Sequence, residues 1–88
     1  MKIEYDLNKK RRNIKKHGIS FDLAERFEWD TALIWEDTRY NYGETRFCAL
    51  GYIEIRMYHL VFTYRDDTVR VISLRKANKR EIKHYAET

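Results

Sequence analysis

Two adjoining segments decide the fold: VRVISLR at residues 69–75 and NKREIKHY at residues 78–85. The first is rich in β-branched residues, which favour a strand, and it places Ser73 and Arg75 on one face because strand side chains alternate. In the second, Asn78 and Glu81 have the spacing of a capping box at the start of a helix. The sequence therefore predicts a strand that carries an arginine to the edge of a sheet, followed at once by a short basic helix.

The remaining elements are predicted by working outward from this pair. Asp6 is a suitable N-cap for a helix over about residues 7–17, which ends in cationic side chains before Gly18. Ser20 is placed to cap a second helix, in which Phe21, Ala24 and Phe27 recur at helical spacing and are expected in the core. Strands are predicted at residues 31–35, 45–53, 57–64 and 68–75, with a short, weakly patterned strand at residues 2–5.

The order of elements, (β)ααββββα, predicts a small α+β domain that spans residues 1–88. Sequential strands with short links favour an antiparallel four-stranded sheet with helices packed on one face. The strand at residues 57–64 is apolar on both faces and should be central. Arg65-Asp-Asp67 is expected to form the tight hairpin before the last strand.

Charge is distributed by segment along the chain. The net charge is +5 over residues 1–17, −5 over residues 18–68 and +4 over residues 69–88. A fold that brings the two basic segments together would create a cationic face, and Arg and Lys together suit phosphodiester anions. Scattered solvated lysines are the simpler explanation, but they account less well for the separation by segment.

Several classes of function lack support in the sequence. The three glycines are isolated, so no phosphate-binding loop is present, and the three histidines lack metal-ligand spacing. Cys48 lies in an apolar stretch and is expected to be a core residue, and a single cysteine fits a reducing cytoplasm. No apolar run reaches membrane length. We therefore expect a cytoplasmic protein without metal, cofactor or membrane contact.

An arginine-rich set remains, and metal-free RNA cleavage is a chemistry that such residues can serve. The ribose 2′-OH attacks its own phosphate, so the enzyme must orient the attack, neutralise the phosphorane and move two protons. The cations are Arg46, Arg65, Arg70, Arg75, Lys79 and Arg80, and the candidates for proton transfer are Glu44, His17, Lys79 and Tyr85.

Each proton-transfer candidate also has a structural interpretation. Tyr85 suits a core aromatic residue, His17 a partner for the helix dipole, and Glu44 a cross-strand partner of a neighbouring arginine. His59 lies inside a strand predicted to be central, and a structural role is expected for it.

Three blocks of the sequence resemble the BrnT family of type II toxins, whose fold is similar to that of RelE-type ribonuclease toxins. The blocks are NIKKHGISF at residues 13–21, NYGETR at residues 41–46, and Tyr64-Arg65 leading into residues 69–85. The resemblance implies a RelE-like toxin that cleaves RNA and suppresses translation. It also implies a BrnA-like antitoxin, a toxin–antitoxin heterotetramer, and operator DNA bound only through the antitoxin.

The resemblance also implies which residues act. By position it assigns function to Lys16, His17, Glu44, Arg46, Arg65, Ser73, Arg75 and Tyr85. Asn41 and Leu74 depart from the family pattern. Taken with the basic residues of both ends, the expected catalytic set is Arg75, Arg65, Glu44, His17, Lys79 and Tyr85. The expected RNA-binding set is Lys9, Arg12, Lys16, Arg46, Ser73 and Arg80. The alternative is a non-catalytic module that binds nucleic acid or a regulatory partner through its basic ends and exposed tyrosines.

Overall fold

A computed structural model describes residues 2–88 and shows a single five-stranded sheet with helices on both of its faces. The sheet order is β1-β5-β4-β3-β2, and all neighbouring pairs are antiparallel except β1 and β5. The elements are β1 (Lys2–Tyr5), α1 (Leu7–His17), a 3₁₀ helix (Phe21–Arg26), β2 (Leu33–Asp37), β3 (Arg46–Ile53), β4 (Arg56–Arg65), β5 (Thr68–Lys76) and α2 (Lys79–Ala86).

The prediction of a four-stranded antiparallel sheet is wrong, because the sheet has five strands. β1 adds a fifth strand and pairs in parallel with β5, with Ile3 opposite Val69. The weak alternation of β1 gives little sign of this pairing, and its partner is distant in the sequence. The four predicted strands are present within two residues of their expected bounds, and β4 is central as its two apolar faces indicate.

The core lies on one face of the sheet, beneath the 3₁₀ helix. Phe21, Ala24 and Phe27 are buried against the sheet, as expected, and Leu60 and Phe62 are fully buried beneath them. The second predicted helix is present, but only as six residues of 3₁₀ helix. Gly51 is required here, because a Cβ at this position would lie 2.6 Å from the ring of Phe27.

The helices do not share one face, which corrects the second part of the predicted architecture. α2 contacts Tyr52, Trp35 and His59 through its own side chains, and these three residues lie on the face of the sheet opposite the core. α2 begins with the expected capping box between Asn78 and Glu81. Within residues 2–88, no helix is both long and apolar enough to cross a membrane.

A β-bulge in β5 decides which face Arg75 occupies. Val71 pairs with Phe62, but the next pair along β4 is Val61 with Ser73, so that Ile72 is an extra residue. The bulge shifts the alternation by one position. Val69 and Val71 therefore lie in the core, whereas Ser73 and Arg75 lie on the opposite face. In a strand without a bulge, all four side chains would point to the same face.

α1 is fixed to β5 by one buried polar side chain, Asn13. Its amide nitrogen donates to the carbonyls of Leu74 at 2.7 Å and Ile19 at 2.8 Å, and its oxygen accepts from the Leu74 amide at 3.2 Å. These bonds pair the edge of β5 beyond the point where β1 ends. α1 ends one turn later at Gly18, whose φ of 72° gives the αL cap expected there.

Candidate active site

A cleft of about 490 Å³ lies on the face of the sheet opposite the core. Its floor includes Cys48 and Val61, and burial raises the pKa of the Cys48 thiol, which is buried as expected. Four cations and two carboxylates line the cleft, so its net formal charge is +2 with neutral histidines. The cations are Lys16, Arg39, Arg46 and Arg75, and the carboxylates are Asp37 and Glu81.

Arg75 is held in the cleft by Glu81 from the first turn of α2. Its Nη1 and Nη2 atoms donate to the two carboxylate oxygens at 2.8 Å and 2.7 Å, a bidentate geometry. The same carboxylate accepts from the Asn78 amide at 2.9 Å as part of the capping box. The guanidinium holds the pKa of Glu81 at about 2, so this carboxylate is charged at neutral pH. The helix cap thus also orients the arginine.

His59 lies beside this ion pair as the cross-strand partner of Arg75. Its Nε2 atom is 3.9 Å from a Glu81 oxygen, and its buried Nδ1 atom has no hydrogen-bond partner among the described residues. Burial lowers the pKa of His59, and Arg75 lowers it further, whereas Glu81 raises it. His59 is therefore neutral at pH 7 in the free protein, and the negative charge of a bound ligand would favour its protonation.

The C-terminal end of α1 supplies Lys16 and His17 to the same cleft. Both side chains line it together with Ser73 and Arg75 of β5. Burial lowers the pKa of His17, and the nearby Lys16 and Arg75 lower it further. An imidazole that is neutral at pH 7 can accept a proton, so His17 has the state that a general base requires.

A second cluster, from β2, β3 and the loop between them, forms the other end of the cleft. Arg39 binds Asp37 through two hydrogen bonds of 2.8 and 2.9 Å, and Tyr42 donates to the same carboxylate at 3.0 Å. These contacts hold the pKa of Asp37 well below its usual range. The guanidinium of Arg46 lies 4.1 Å from the centre of the Tyr42 ring and pairs with Glu44 at 3.1 Å.

A smaller groove of about 260 Å³ continues from the cleft along α1. It shares Lys16, His17 and Ser73 with the cleft and adds Lys9 and Arg12. The contact between α1 and β5 brings the two basic segments of the chain together, and they form the cationic face that their charge pattern allows. The extended cationic surface suits a polyanion longer than one phosphate group.

Of the expected site residues, the structure brings eight together and leaves four outside. Glu44 lies at the rim through its pair with Arg46. Those in or beside the cleft and groove are Arg75, His17, Lys16, Ser73, Arg46, Glu44, Lys9 and Arg12. Those outside the cleft are Arg65, Lys79, Arg80 and Tyr85.

Arg65 is the most distant of these four. It pairs with Thr68, seven positions before Arg75 along β5, which corresponds to roughly 23 Å at about 3.3 Å per residue. Tyr85 donates its hydroxyl hydrogen to the Thr31 carbonyl at 2.8 Å and packs its ring on Tyr52, so its contacts are structural. Lys79 and Arg80 are exposed on α2 and do not line the cleft.

Sequence reasoning missed His59, Glu81 and the pair of Asp37 and Arg39. Extending the hairpin register from Arg65 and Thr68 without a bulge would place His59 opposite Leu74, on the wrong face for Arg75. The sequence predicts Glu81 as a capping residue, but its hydrogen bonds to Arg75 depend on the rotamer of that arginine. The sequence signal for His59 was its polarity within an apolar strand.

Comparison with known families identifies the family of the chain. The chain matches the family model described as "Ribonuclease toxin, BrnT, of type II toxin-antitoxin system" over residues 5–81. The matched range includes all of α1 and the first turn of α2, the two helices that border the cleft. No curated protein matches the chain. Because the match covers most of the sequence, the chain belongs to the BrnT family of ribonuclease toxins from type II toxin–antitoxin systems.

Proposed function

We propose that this toxin is a metal-independent endoribonuclease of RelE-like type that cleaves RNA by attack of a ribose 2′-OH on the adjacent phosphate, and so suppresses translation in the cytoplasm. The observation that carries the proposal is the meeting of Arg75, His59 and His17 in one cationic cleft. The reaction needs positive charge and two groups that can transfer protons, and two imidazoles can serve as those groups.

Arg75 is the proposed ligand of the scissile phosphate. Glu81 engages one edge of its guanidinium, and the arginine keeps further N–H groups for an anion. Glu81 acts as a positioning residue, since it fixes the direction in which those groups point. Lys16 and Arg46 add charge from the two ends of the cleft, where they neutralise flanking phosphates and the developing phosphorane.

The two imidazoles divide the proton transfers. His17, neutral at pH 7, takes the proton from the 2′-OH as its oxygen bonds to phosphorus. The bond from phosphorus to the 5′ oxygen breaks, and His59 donates a proton to that oxygen. The bound phosphate raises the pKa of His59 and so makes it a competent acid. The products carry a 2′,3′-cyclic phosphate and a free 5′-hydroxyl.

The charge arrangement of the cleft supports metal independence. Both carboxylates that line it are bound by arginines, Asp37 by Arg39 and Glu81 by Arg75. A divalent cation would have to displace a guanidinium and enter a region of positive charge, which is unfavourable.

The proposal extends to the partner that silences the toxin. We assign neutralisation to a BrnA-type antitoxin that forms a heterotetramer with the toxin and contacts operator DNA. The exposed cations of α1 support this assignment, because a surface that must be open to RNA is equally open to an acidic or amphipathic protein segment.

The central test incubates the purified toxin with RNA in excess EDTA. Fragments that end in 2′,3′-cyclic phosphate are expected, and Arg75→Ala should form them far more slowly than the wild type while its circular dichroism spectrum stays that of the wild type. Activity that disappears with EDTA and returns with Mg²⁺ would overturn the metal-free mechanism. An Arg75→Ala protein that only binds RNA less tightly, by an amount that shrinks as salt rises, would favour the non-catalytic binding module instead.

A further inference from the structure

We propose that Trp35 is the stacking platform for an RNA base, so that the cleft binds a nucleotide with its phosphate near Arg75 and a base on the indole of β2. This inference rests on the proposed ribonuclease function and names the specificity subsite of the same cleft. Neither the family match nor the sequence pattern assigns a function to Trp35.

The sheet register places Trp35 on the cleft face. Trp35 pairs with Cys48, Cys48 with Val61, and Val61 with Ser73, so these four residues form one row across the sheet with their side chains on the same side. The indole extends from its edge strand toward the reacting groups. Its ring centroid is 6.2 Å from that of His59, which is the direct neighbour of Arg75.

The indole also remains accessible. Trp35 is 38% exposed, and the rings of His59 and His84 that contact it are inclined to the indole by 69° and 88°, so neither ring is stacked parallel on it. By contrast, Tyr42, the other aromatic residue larger than histidine that lines the cleft, has the guanidinium of Arg46 over its ring at 4.1 Å. Of these two, Trp35 is the ring available to a base.

The cleft has a cationic side and an aromatic side, which match the phosphate and the base of a nucleotide. Lys16, Ser73 and Arg75 lie on the side of β5 and α1, whereas Trp35 lies across the sheet on β2. A volume of about 490 Å³ falls within the range of sites that hold small organic ligands. Aromatic stacking beside a cationic track is the general means by which proteins bind single-stranded nucleic acid.

The test uses Trp35 as its own fluorescent probe. The chain contains two tryptophans, and Trp29→Phe removes the one that packs in the core between Phe27 and Phe62. In that background a 2′-O-methyl oligonucleotide, which has no 2′-OH and cannot be cleaved, should quench the remaining emission. An abasic oligomer of the same length and charge should bind through its phosphates and leave the emission unchanged.

Two substitutions separate stacking from simple packing. Trp35→Leu keeps apolar cover over His59 but lacks a π-face, and it should weaken binding of the 2′-O-methyl oligonucleotide about 5- to 150-fold. Trp35→Phe should restore part of that loss, and neither variant should change binding of the abasic oligomer. Ile34→Ala is the matched control, since Ile34 is an exposed apolar residue on the other face of the same strand.

The proposal fails if the abasic oligomer quenches Trp35 as strongly as the 2′-O-methyl oligonucleotide does, or if Trp35→Leu binds the 2′-O-methyl oligonucleotide as tightly as the wild type does. It also fails if no oligonucleotide changes the emission, as expected for an indole that serves a protein partner. Cleavage of unmodified RNA by the wild type is measured separately. Base-dependent quenching without cleavage would therefore overturn the ribonuclease proposal and leave the base subsite standing.

Discussion

At the scale of single residues, the main feature of the site is that Glu81 holds Arg75 in place, with His59 beside it. Glu81 binds its guanidinium through two short hydrogen bonds, and His59 faces it across the strand pair. An arginine in a free rotamer would lose side-chain entropy whenever it bound phosphate. Arg75 is already ordered, so in the proposed reaction more of its interaction with the transition state would be available for catalysis.

We expect Arg75→Ala to lower kcat for RNA cleavage by about 10²–10³-fold, the usual effect of removing one group that stabilises developing charge. Arg65→Ala is the matched control, because Arg65 is exposed at the far end of β4 and should leave kcat unchanged. The measurement is single-turnover cleavage of a labelled RNA, together with arrest of growth on induction. A large loss with Arg65→Ala would show that the active site lies at the other end of the sheet.

The pKa of His17 predicts the acid limb of the pH profile. Burial and two nearby cations lower that pKa from its ordinary value of 6.5, so the imidazole becomes neutral below pH 6.5. Activity that needs neutral His17 should rise with pH along this limb and reach half its maximum below pH 6.5. Cleavage rates from pH 4.5 to 8 would check this. A His17→Ala variant should cleave more slowly, and its rate should no longer show this rise with pH. If the wild type reaches half its maximal rate only above pH 7, His17 is not the base.

At the scale of elements, the contact between α1 and β5 builds one side of the cleft. Asn13 makes three hydrogen bonds to the backbone, and the turn that follows it carries Lys16 and His17. α1 otherwise has little apolar contact, since Leu7 and Ile14 are largely exposed. The polar anchor is therefore the main determinant of where the helix lies.

We expect Asn13→Ala to destabilise the protein by about 2–4 kcal/mol, because it leaves buried backbone groups at Leu74 and Ile19 without partners. Urea denaturation would measure this loss. Arg11→Ala, at an exposed position of the same helix, should change stability by less than about 0.5 kcal/mol. Equal effects of the two substitutions would mean that Asn13 does not anchor the helix.

At the scale of the whole molecule, the topology of the fold places the basic segments of the chain next to each other. β1 pairs with β5 and α1 packs on β5, so the two basic ends of the chain are adjacent, while most of the acidic residues belong to the segment between them. Lys9, Arg12 and Lys16 follow one side of α1 into the cleft. In the proposed function this surface binds RNA, so a competitor of RNA would bind to it as well.

We therefore expect the antitoxin to associate faster at low ionic strength and to cover α1 and the Arg75 region. Replacing Lys9, Arg12 and Lys16 by Glu should lower the association rate more than the stability of the toxin, because Arg12 and Lys16 are exposed, Lys9 is only half-buried, and charges at such positions contribute little to folding. Stopped-flow association across a salt series would measure it, with Arg56→Glu, at an exposed position outside the groove, as the control. Hydrogen exchange protection confined to residues 30–56 would show that the antitoxin acts elsewhere.

Local signals in the sequence were sufficient for much of this structure. Capping residues determined the start of α1 and of α2, Gly18 determined the end of α1, and two apolar faces determined that β4 is central. The charge pattern and the Arg75 strand pointed to a cationic site. All of these depend on residues close together in the chain, where propensity and capping act.

Only the tertiary structure decided which of the basic residues share the site. The bulge at Ile72 turns Arg75 away from the core and sets it beside His59, and no local signal marks that single extra residue. Pairing of β1 with β5 and the reach of Asn13 to Leu74 join parts of the chain more than sixty residues apart. The sequence alone determined the elements and their charge. Register and long-range hydrogen bonds determined which side chains share the candidate active site, because a shift of one residue in a strand moves every later side chain to the other face.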